Sequence, residues 1–375
     1  MQSRESHAVA FLFGAGASAR LNYPMVTDFF DHCKKVEGFP GHTCEQLWRY
    51  IRLLEGRSSE ERYPNIDAEA VFSLAEKIVQ VDKALRIDSV PFSSRGGTHP
   101  LVLPGVPSAA DLYRRLMDAI ITVYGRMPEK AAAELDPLAE LVREADEFVP
   151  EGQPLWLFTT NYDTVIENSL ENWIASGEKP FDHIRLATGA ADERPHRIDA
   201  DSFVLDSKDG ERPVNLVKLH GSATWKRETL EPASPIIDAG MRVPTGNDCA
   251  LFFGYKAIPE AEPFVSFHRL LKRALSTHLT VVSIGFQFGD PFLRELVDFA
   301  LRANDKLTVL CCLRSEPKKG SAVDGLAGSH GARFRLLRDG QGALVPFGEK
   351  HFCATLRAGI ELCAAPTRGR RNKRA

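Results

Sequence analysis

The chain has 375 residues and a formal net charge of -3 at pH 7, so it can bury a large core and is not the cationic surface of a dedicated nucleic-acid binder. Its seven cysteines include no CxxC pair, which argues against a zinc site and against a secreted disulfide framework. The opening apolar run is too short for a signal peptide, and no stretch approaches the roughly 18 apolar residues of a membrane helix, so we expect a cytoplasmic protein.

Short apolar runs predict the strands of a parallel sheet. Residues 8–13 (AVAFLF) are apolar without alternation, as in a strand covered on both faces, and we expect this strand to be central. Similar runs occupy residues 155–160, 214–219, 279–284 and 307–313. Helical patterns begin at Tyr162, Pro263 and Pro291. This alternation predicts an α/β fold with a Rossmann-like doubly wound parallel sheet.

The interval between the first two strands has a different pattern. Apolar residues recur at helical spacing after Asn65, which we interpret as a helix N-cap, and two further helical stretches follow before residue 150. Residues 178–213 are polar and are expected to form a hairpin or a flap. The predicted organisation is an α/β core (1–40 and 151–320), a helical insertion (41–150), a C-terminal strand and helix completing the core (321–365) and a disordered basic tail (366–375).

The first stretch with chemical character is GAGAS, residues 14–18. A glycine turn between a buried strand and a helix lets backbone N–H groups approach a phosphate, and the helix N-terminus adds partial positive charge. The alternative is that a tight strand-to-helix turn requires glycine for steric reasons alone. Since Ala19 stands at the last position of the G-x-G-x-x-G pattern, this stretch leaves both interpretations open.

Three more polar stretches follow predicted strands. TTNYD (159–163) could hold a ligand, or Asn161 or Asp163 could simply cap the next helix. HGS (220–222) places an imidazole at the same sheet edge, where a lone histidine can equally be structural. GFQFGDP (285–291) offers Asp290 as an ordinary N-cap or as a ribose contact.

In this order the four stretches resemble the sirtuin family, in particular its prokaryotic, zinc-less, NAD-hydrolysing branch. GAGAS with Pro24 is similar to the first NAD-binding motif, TTNYD to the T-Q-N-x-D motif, and KLHGS to the motif with the catalytic histidine. IGFQFGDPFL is similar to the late segment that holds the adenosine ribose, and DAEAVF (67–72) to a helical region of that branch.

Two departures from the protein-deacylating sirtuins bear on activity. Their two zinc-binding CxxC pairs are missing, and NYPM stands where they have G-I-P-D-F-R, without an arginine. The resemblance therefore implies hydrolysis of NAD to nicotinamide and ADP-ribose, in bacterial anti-phage defence by NAD depletion. Alternatives are a non-catalytic sensor of NAD or of an ADP-ribose derivative that regulates a partner and, less favoured, a protein deacylase or ADP-ribosyltransferase.

The resemblance also implies roles for individual residues. Asn161 would orient water or the ribose, His220 would be the general base toward water or a ribose hydroxyl, and Asp163 would position the nicotinamide or the neighbouring backbone. The expected cofactor-binding residues are Gly14, Ala15, Gly16, Ser18, Pro24, Thr160, Gly221, Ser222, Gly285 and Asp290.

NAD is expected as the substrate, with no metal and no further cofactor required. Because an unregulated NADase would kill its host, we expect control by homo-oligomer assembly or by a separately encoded activating partner. No membrane association is expected, and contact of the basic tail with nucleic acid is left open.

Overall fold

The computed structural model describes residues 9–25, 28–56, 67–87, 109–125, 136–150, 152–176, 184–190, 197–205, 211–228, 234–239, 249–252, 259, 261–278 and 280–364. The predicted basic tail and Asn65 lie outside these residues.

The described strands, in chain order, are β1 (Val9–Phe13), β2 (Leu155–Thr159), β3 (Ile184–Ala187), β4 (Arg212–Lys218), β5 (Gly221–Arg227), β6 (Ile236–Asp238), β7 (Cys249–Leu251), β8 (Thr280–Ile284), β9 (Thr308–Cys312) and β10 (Phe334–Leu336). The described α-helices are α1 (Ala15–Ser18), α2 (Phe29–Cys33), α3 (Gly41–Leu54), α4 (Ala68–Ile87), α5 (Ala109–Tyr124), α6 (Asp136–Asp146), α7 (Val165–Ser176), α8 (Phe264–Thr277), α9 (Pro291–Ala303), α10 (Ala322–His330) and α11 (Phe352–Ala364).

Seven of these strands form one parallel sheet in the order β10-β9-β8-β1-β2-β4-β3. The predicted doubly wound α/β fold is therefore confirmed, and β1 is central as expected. Phe11 of β1 pairs with Leu157 on one side and Val282 on the other. Ala10 and Leu12 pack into one apolar cluster, while Phe11 and Phe13 pack into the cluster on the opposite face. This two-sided burial explains why the β1 sequence does not alternate.

The helices between β1 and β2 divide between two cores. Helices α3, α4 and α5 share a cluster that includes Leu47, Phe72 and Leu116, separate from the clusters on the sheet faces. Helix α6 instead packs Leu141 into the cluster beneath the sheet, beside α7 and α11. Helix α4 begins at Ala68, and the Asp67 carboxylate accepts the backbone N–H of Ala70 at 3.2 Å.

Two features of the region after β2 differ from expectation. Residues 184–187, inside the segment expected to be irregular, form the edge strand β3, which pairs in parallel with β4. A second, antiparallel sheet in the order β6-β5-β7 was not predicted. Its outer strands have only three residues each, too few for a periodic pattern to stand out in the sequence.

The turns that follow β1 and β8 pack backbone against backbone. A Cβ on Gly14 would lie 2.6 Å from the Cα of Phe286, and one on Gly16 would lie 2.8 Å from the Cα of Gly285. Gly285 has φ +64°, and a Cβ there would lie 2.7 Å from the Cα of Gly16. Side chains at any of these three positions would force the two turns apart.

As for membrane association, the described helices include none that combines the length and the apolar character of a transmembrane span.

We expect Gly285→Ala to lower the melting temperature by several degrees, because an L-residue pays about 1–2 kcal/mol in left-handed backbone and its Cβ would also press on the Gly16 turn. Gly289→Ala is the matched control from the same loop, where an added Cβ meets no atom of the described residues within 4 Å. Thermal unfolding of both variants is the measurement, and equal melting temperatures would contradict the packing argument.

Candidate functional site

A cavity of about 300 Å³ lies at the carboxyl ends of β1, β2 and β8, which is where open parallel sheets bind ligands. Its lining comes from the sheet loops, from the start of α4 and from the end of α5. The lining residues are Ala15, Ser18, Tyr23, Pro24, Met25, Asp67, Glu69, Tyr124, Thr160, Asn161, Tyr162, Asp163, His220, Gly285, Phe286, Gln287, Gly289, Asp290 and Pro291. We call this space the site cavity.

Asn161 is held at the end of β2 by its side-chain amide. Its Nδ2 donates to the Gly14 carbonyl at 3.1 Å and to Ser18 Oγ at 3.0 Å. Because a carbonyl can only accept, the Gly14 contact determines which way the amide points. The Asn161 Oδ1 is consequently the atom left to accept a hydrogen bond from a ligand.

His220 forms a buried pair with Asp290. The Nε2 of His220 donates to Asp290 Oδ2 at 3.2 Å, and both side chains are almost fully enclosed. The other oxygen, Asp290 Oδ1, accepts the N–H of Leu293 at 3.1 Å and so caps α9. The Nδ1 of His220 is buried and has no hydrogen-bond partner among the described residues. With Nε2 carrying the proton, Nδ1 presents a lone pair and can act as a base.

Asp163 lies at the start of α7, where its Oδ1 accepts the N–H of Val165 at 3.1 Å. Burial raises the pKa of the Asp163 carboxyl, while Lys218 and a hydrogen bond from Ser18 oppose the shift. The residue therefore does what the structural alternative expected, since it caps the helix, and it also lines the site cavity. The position of Asp163 is better suited to holding the neighbouring backbone in place than to direct contact with the nicotinamide.

Lys218, at the end of β4, is a buried cation beneath this loop. Its Nζ donates to the Asp163 carbonyl and to Glu167 Oε1, the latter at 2.7 Å, and its side chain is 1% exposed. The Oε2 of Glu167 is buried with no hydrogen-bond partner among the described residues. The lysine thus ties β4 to the loop that presents Asn161.

The glycine turn contributes to the site mainly through Ser18 and Ala15, which line the cavity. Ser18 bridges Asn161 and Asp163. The amides of Gly14 and Gly16 donate to the carbonyls of Ile284 and Gly285 at 2.9 and 3.0 Å, so both are already paired within the fold. The steric alternative accounts for these two glycines, and a phosphate contact from them stays a prediction.

Of the remaining residues predicted to bind the cofactor, some line the site cavity and others do not. Pro24, Thr160 and Gly285 line the site cavity, whereas Gly221 and Ser222 do not. Gly221 has φ +86°, and a Cβ there would lie 2.6 Å from the Ala250 carbonyl, so this glycine lets β5 approach β7. Ser222 is fully buried, with its Oγ 3.1 Å from Thr224 Oγ1. Both residues belong to β5, in the antiparallel sheet, and lie outside the lining of the site cavity.

Sequence reasoning missed the contribution of the helical segment to the site. Asp67 and Glu69 from α4 and Tyr124 from α5 line the cavity. Burial raises the pKa of Glu69 to about 7, with His220 opposing the shift. The DAEAVF stretch could have indicated this contribution, since it resembles a helical region of the sirtuin-like branch. The sequence analysis assigned no functional role to its residues.

A larger groove of about 500 Å³ adjoins the site cavity and shares Met25, Gly285 and Gln287 with it. Arg20 and Arg314 also line this groove. In the part of the chain that the structure describes, no group of three or more histidine, cysteine or acidic side chains is arranged to hold a metal ion. The zinc-less character stays a prediction from the sequence.

Fold and cavity together define an α/β domain with a polar cavity at the carboxyl edge of its sheet. The SIR2-like domain family matches residues 156–324, from β2 to α10. This match confirms the predicted sirtuin-like resemblance over that part of the chain. The match begins after the GAGAS turn, so that motif is not covered by it.

Among solved structures, the chain is similar to Sir2 proteins at low sequence identity. A mutant Sir2 homologue in complex with 2'-O-acetyl ADP ribose is 13% identical, with 97% of this chain and 96% of that chain covered at a TM-score of 0.40. A Sir2 homolog–NAD complex is 12% identical, with 96% and 91% covered at a TM-score of 0.41. A search of curated proteins found no match. The strand order and register, rather than these likenesses, define the fold.

We expect Lys218→Met to destabilise the protein by about 3–5 kcal/mol, because it strands the Glu167 carboxylate without its cation in a buried position. Adding Glu167→Leu to that variant removes the unpaired charge and should recover much of the loss. Denaturant unfolding of the two variants is the measurement. A double variant no more stable than Lys218→Met would show that the ion pair is not the source of the effect.

Proposed function

We propose that this protein hydrolyses the glycosidic bond between nicotinamide and ribose in NAD, releasing nicotinamide and ADP-ribose. The observation that carries the proposal is the meeting of Asn161 and the His220–Asp290 pair in one cavity, although they follow three different strands. An amide acceptor and a basic imidazole nitrogen are the groups that positioning and activation of a hydroxyl or a water require.

The space available supports a dinucleotide substrate. The site cavity is lined by Asn161, His220 and Asp290 and would hold the nicotinamide riboside half of NAD, which contains the bond to be cleaved. The adjoining groove shares Gly285 and Gln287 with it and offers Arg20 and Arg314, cations suited to phosphate oxygens. Ala15 and Ser18, at the junction of turn and cavity, would face the substrate between the two halves.

Cleavage of this bond passes through an oxocarbenium-like state, as in other glycoside hydrolyses. Asn161 Oδ1 would accept from a ribose hydroxyl or from the attacking water and so fix its orientation. His220 Nδ1 would act as the base toward a ribose hydroxyl or water, while Asp290 holds the ring through Nε2. Asp163 and Lys218 would keep the Asn161 loop in position.

The cellular role we propose is anti-phage defence by depletion of NAD, with activity released by self-assembly or by a separately encoded partner. Support comes from the sirtuin-like sequence resemblance and from the SIR2-like match over residues 156–324. An enzyme that destroys a central cofactor has to be inactive until triggered, so the purified protein should be assayed with candidate activators.

We expect His220→Ala and Asn161→Ala to bind NAD but to release nicotinamide about 10²–10⁴-fold more slowly than the wild-type protein, since each removes a positioned acid–base or orienting group. Nicotinamide release measured by chromatography, alongside NAD binding by calorimetry, tests this. His330→Ala is the control, because His330 is also a buried histidine paired with a carboxylate, Asp298 at 2.6 Å, but does not line the site cavity.

Undiminished nicotinamide release in both His220→Ala and Asn161→Ala would overturn the catalytic assignment. Stoichiometric NAD binding without release under any activating condition would favour the sensor alternative instead. Transfer of an acyl group or of ADP-ribose between NAD and a peptide would point to a deacylase or a transferase.

A further inference from the structure

Glu69 is the carboxylate of the site cavity that holds no other group in place. It lies in the first turn of α4 and lines the cavity together with His220. The other three carboxylates of the lining, Asp67, Asp163 and Asp290, each accept a backbone N–H at the start of a helix. Among the described residues no hydrogen bond or ion pair engages the Glu69 side chain. Its carboxylate is consequently available to a molecule in the cavity.

The surroundings of Glu69 suit a group that exchanges protons near neutral pH. Burial raises the pKa of Glu69 to about 7, because the charged form loses hydration. His220 opposes the shift, and the charges of Asp67 and Asp290 add to it. The hydroxyls of Tyr124 and Tyr162 also respond to Glu69, and burial keeps them protonated. A base that titrates close to the working pH combines a large ionised fraction with good proton affinity.

We propose that Glu69 is the general base that takes the proton of the attacking water in the hydrolysis proposed above, on which this inference rests. The bond between ribose C1′ and the nicotinamide nitrogen breaks, and its electron pair neutralises the pyridinium ring. The water oxygen bonds to C1′, and the water proton passes to the Glu69 carboxylate and then to solvent. The products are nicotinamide, ADP-ribose and one proton, so atoms and charge balance.

This assignment divides the work between two groups. His220 Nδ1, held through Nε2 by Asp290, is left for the ribose hydroxyl, and Glu69 deals with water. The two groups come from different parts of the fold, because His220 follows β4 of the sheet and Glu69 begins a helix of the segment between β1 and β2. The segment between β1 and β2 thereby supplies the base that activates water to attack the ribose C1′.

The test compares Glu69→Gln with the wild-type protein under the conditions that activate nicotinamide release. We expect kcat to fall about 10²–10⁴-fold with NAD affinity retained, since glutamine keeps the shape but cannot take a proton. In the wild-type protein the rate should rise with pH as Glu69 ionises, with a midpoint near its pKa of about 7, and the variant should lack that rise. Glu69→Asp, which keeps a carboxylate, should retain part of the activity.

Azide provides a readout that a structural role would not move. Azide has no proton to lose, so it can attack C1′ without a base. We expect added azide to restore nicotinamide release in Glu69→Ala and to yield an azido ADP-ribose detectable by mass spectrometry, but not to do so in His220→Ala. Glu76→Gln is the matched control, because Glu76 is another α4 carboxyl whose pKa burial raises, and it does not line the cavity.

The outcomes separate the two proposals. Wild-type turnover with an equal rate in Glu69→Gln overturns the assignment of Glu69 and leaves NAD hydrolysis standing. Loss of NAD affinity in Glu69→Gln with unchanged kcat makes Glu69 a binding residue and also overturns the assignment. A wild-type protein that releases no nicotinamide with any activator overturns both.

Discussion

The close approach of the turns after β1 and β8 is the constraint on which the site depends. These strands are neighbours at the centre of the sheet, and Gly14, Gly16 and Gly285 leave no side chain between their turns. The contact is closed by a hydrogen bond from the Gly16 amide to the Gly285 carbonyl at 3.0 Å. With the turns locked together, the Gly14 carbonyl and Ser18 stand where Asn161 can use them, and Asp290 stands where it can reach His220.

A second level of organisation comes from buried charge. Lys218, Asp163 and Glu167 are enclosed under the Asn161 loop, where each ionised group loses hydration on folding. Such groups add little net stability, but any displacement that separates them costs several kcal/mol. The network therefore favours one position of the loop. Ser18 joins this network to the glycine turn through Asn161 and Asp163, so the turn and the loop are positioned as one unit.

Much of the sheet could be predicted from the sequence because its central strands are buried on both faces. Continuous apolar runs indicated β1, β2, β8 and β9 to within about two residues, and the proline at position 291 indicated the start of α9. The edge strand β3 and the accessory strands β6 and β7 were missed, since β3 is only half-buried and β6 and β7 are too short to show a period. Tertiary pairing rather than local pattern determines those strands.

Site residues that follow a strand of the sheet could be predicted from the sequence. A site residue that lies on a helix packed against the sheet edge could not. Asn161 and His220 stand two residues after the ends of β2 and β4, so the rule for parallel sheets located them. Gly221 and Ser222 share that position in the sequence, but the positive φ of Gly221 directs the chain into β5 and away from the cavity. Glu69 could not be located by this rule, because tertiary packing brings its helix to the sheet edge. Helices α4 and α5 share one apolar cluster with Tyr162, which follows β2.

The excess of carboxylates in the cavity is consistent with the charge changes of the proposed reaction. Bound NAD would bring a cationic pyridinium into a space lined by four acidic side chains, and cleavage would move that positive charge onto the ribose. Fixed acceptors in a water-poor site stabilise such charge more strongly than water does, because they need not reorganise. Asp163 and Asp290 are fixed by their helix caps, whereas Glu69 is not. The same lining would therefore combine rigid electrostatic stabilisation with one carboxylate able to accept a proton, and the neutral nicotinamide product would lose its attraction to the cavity.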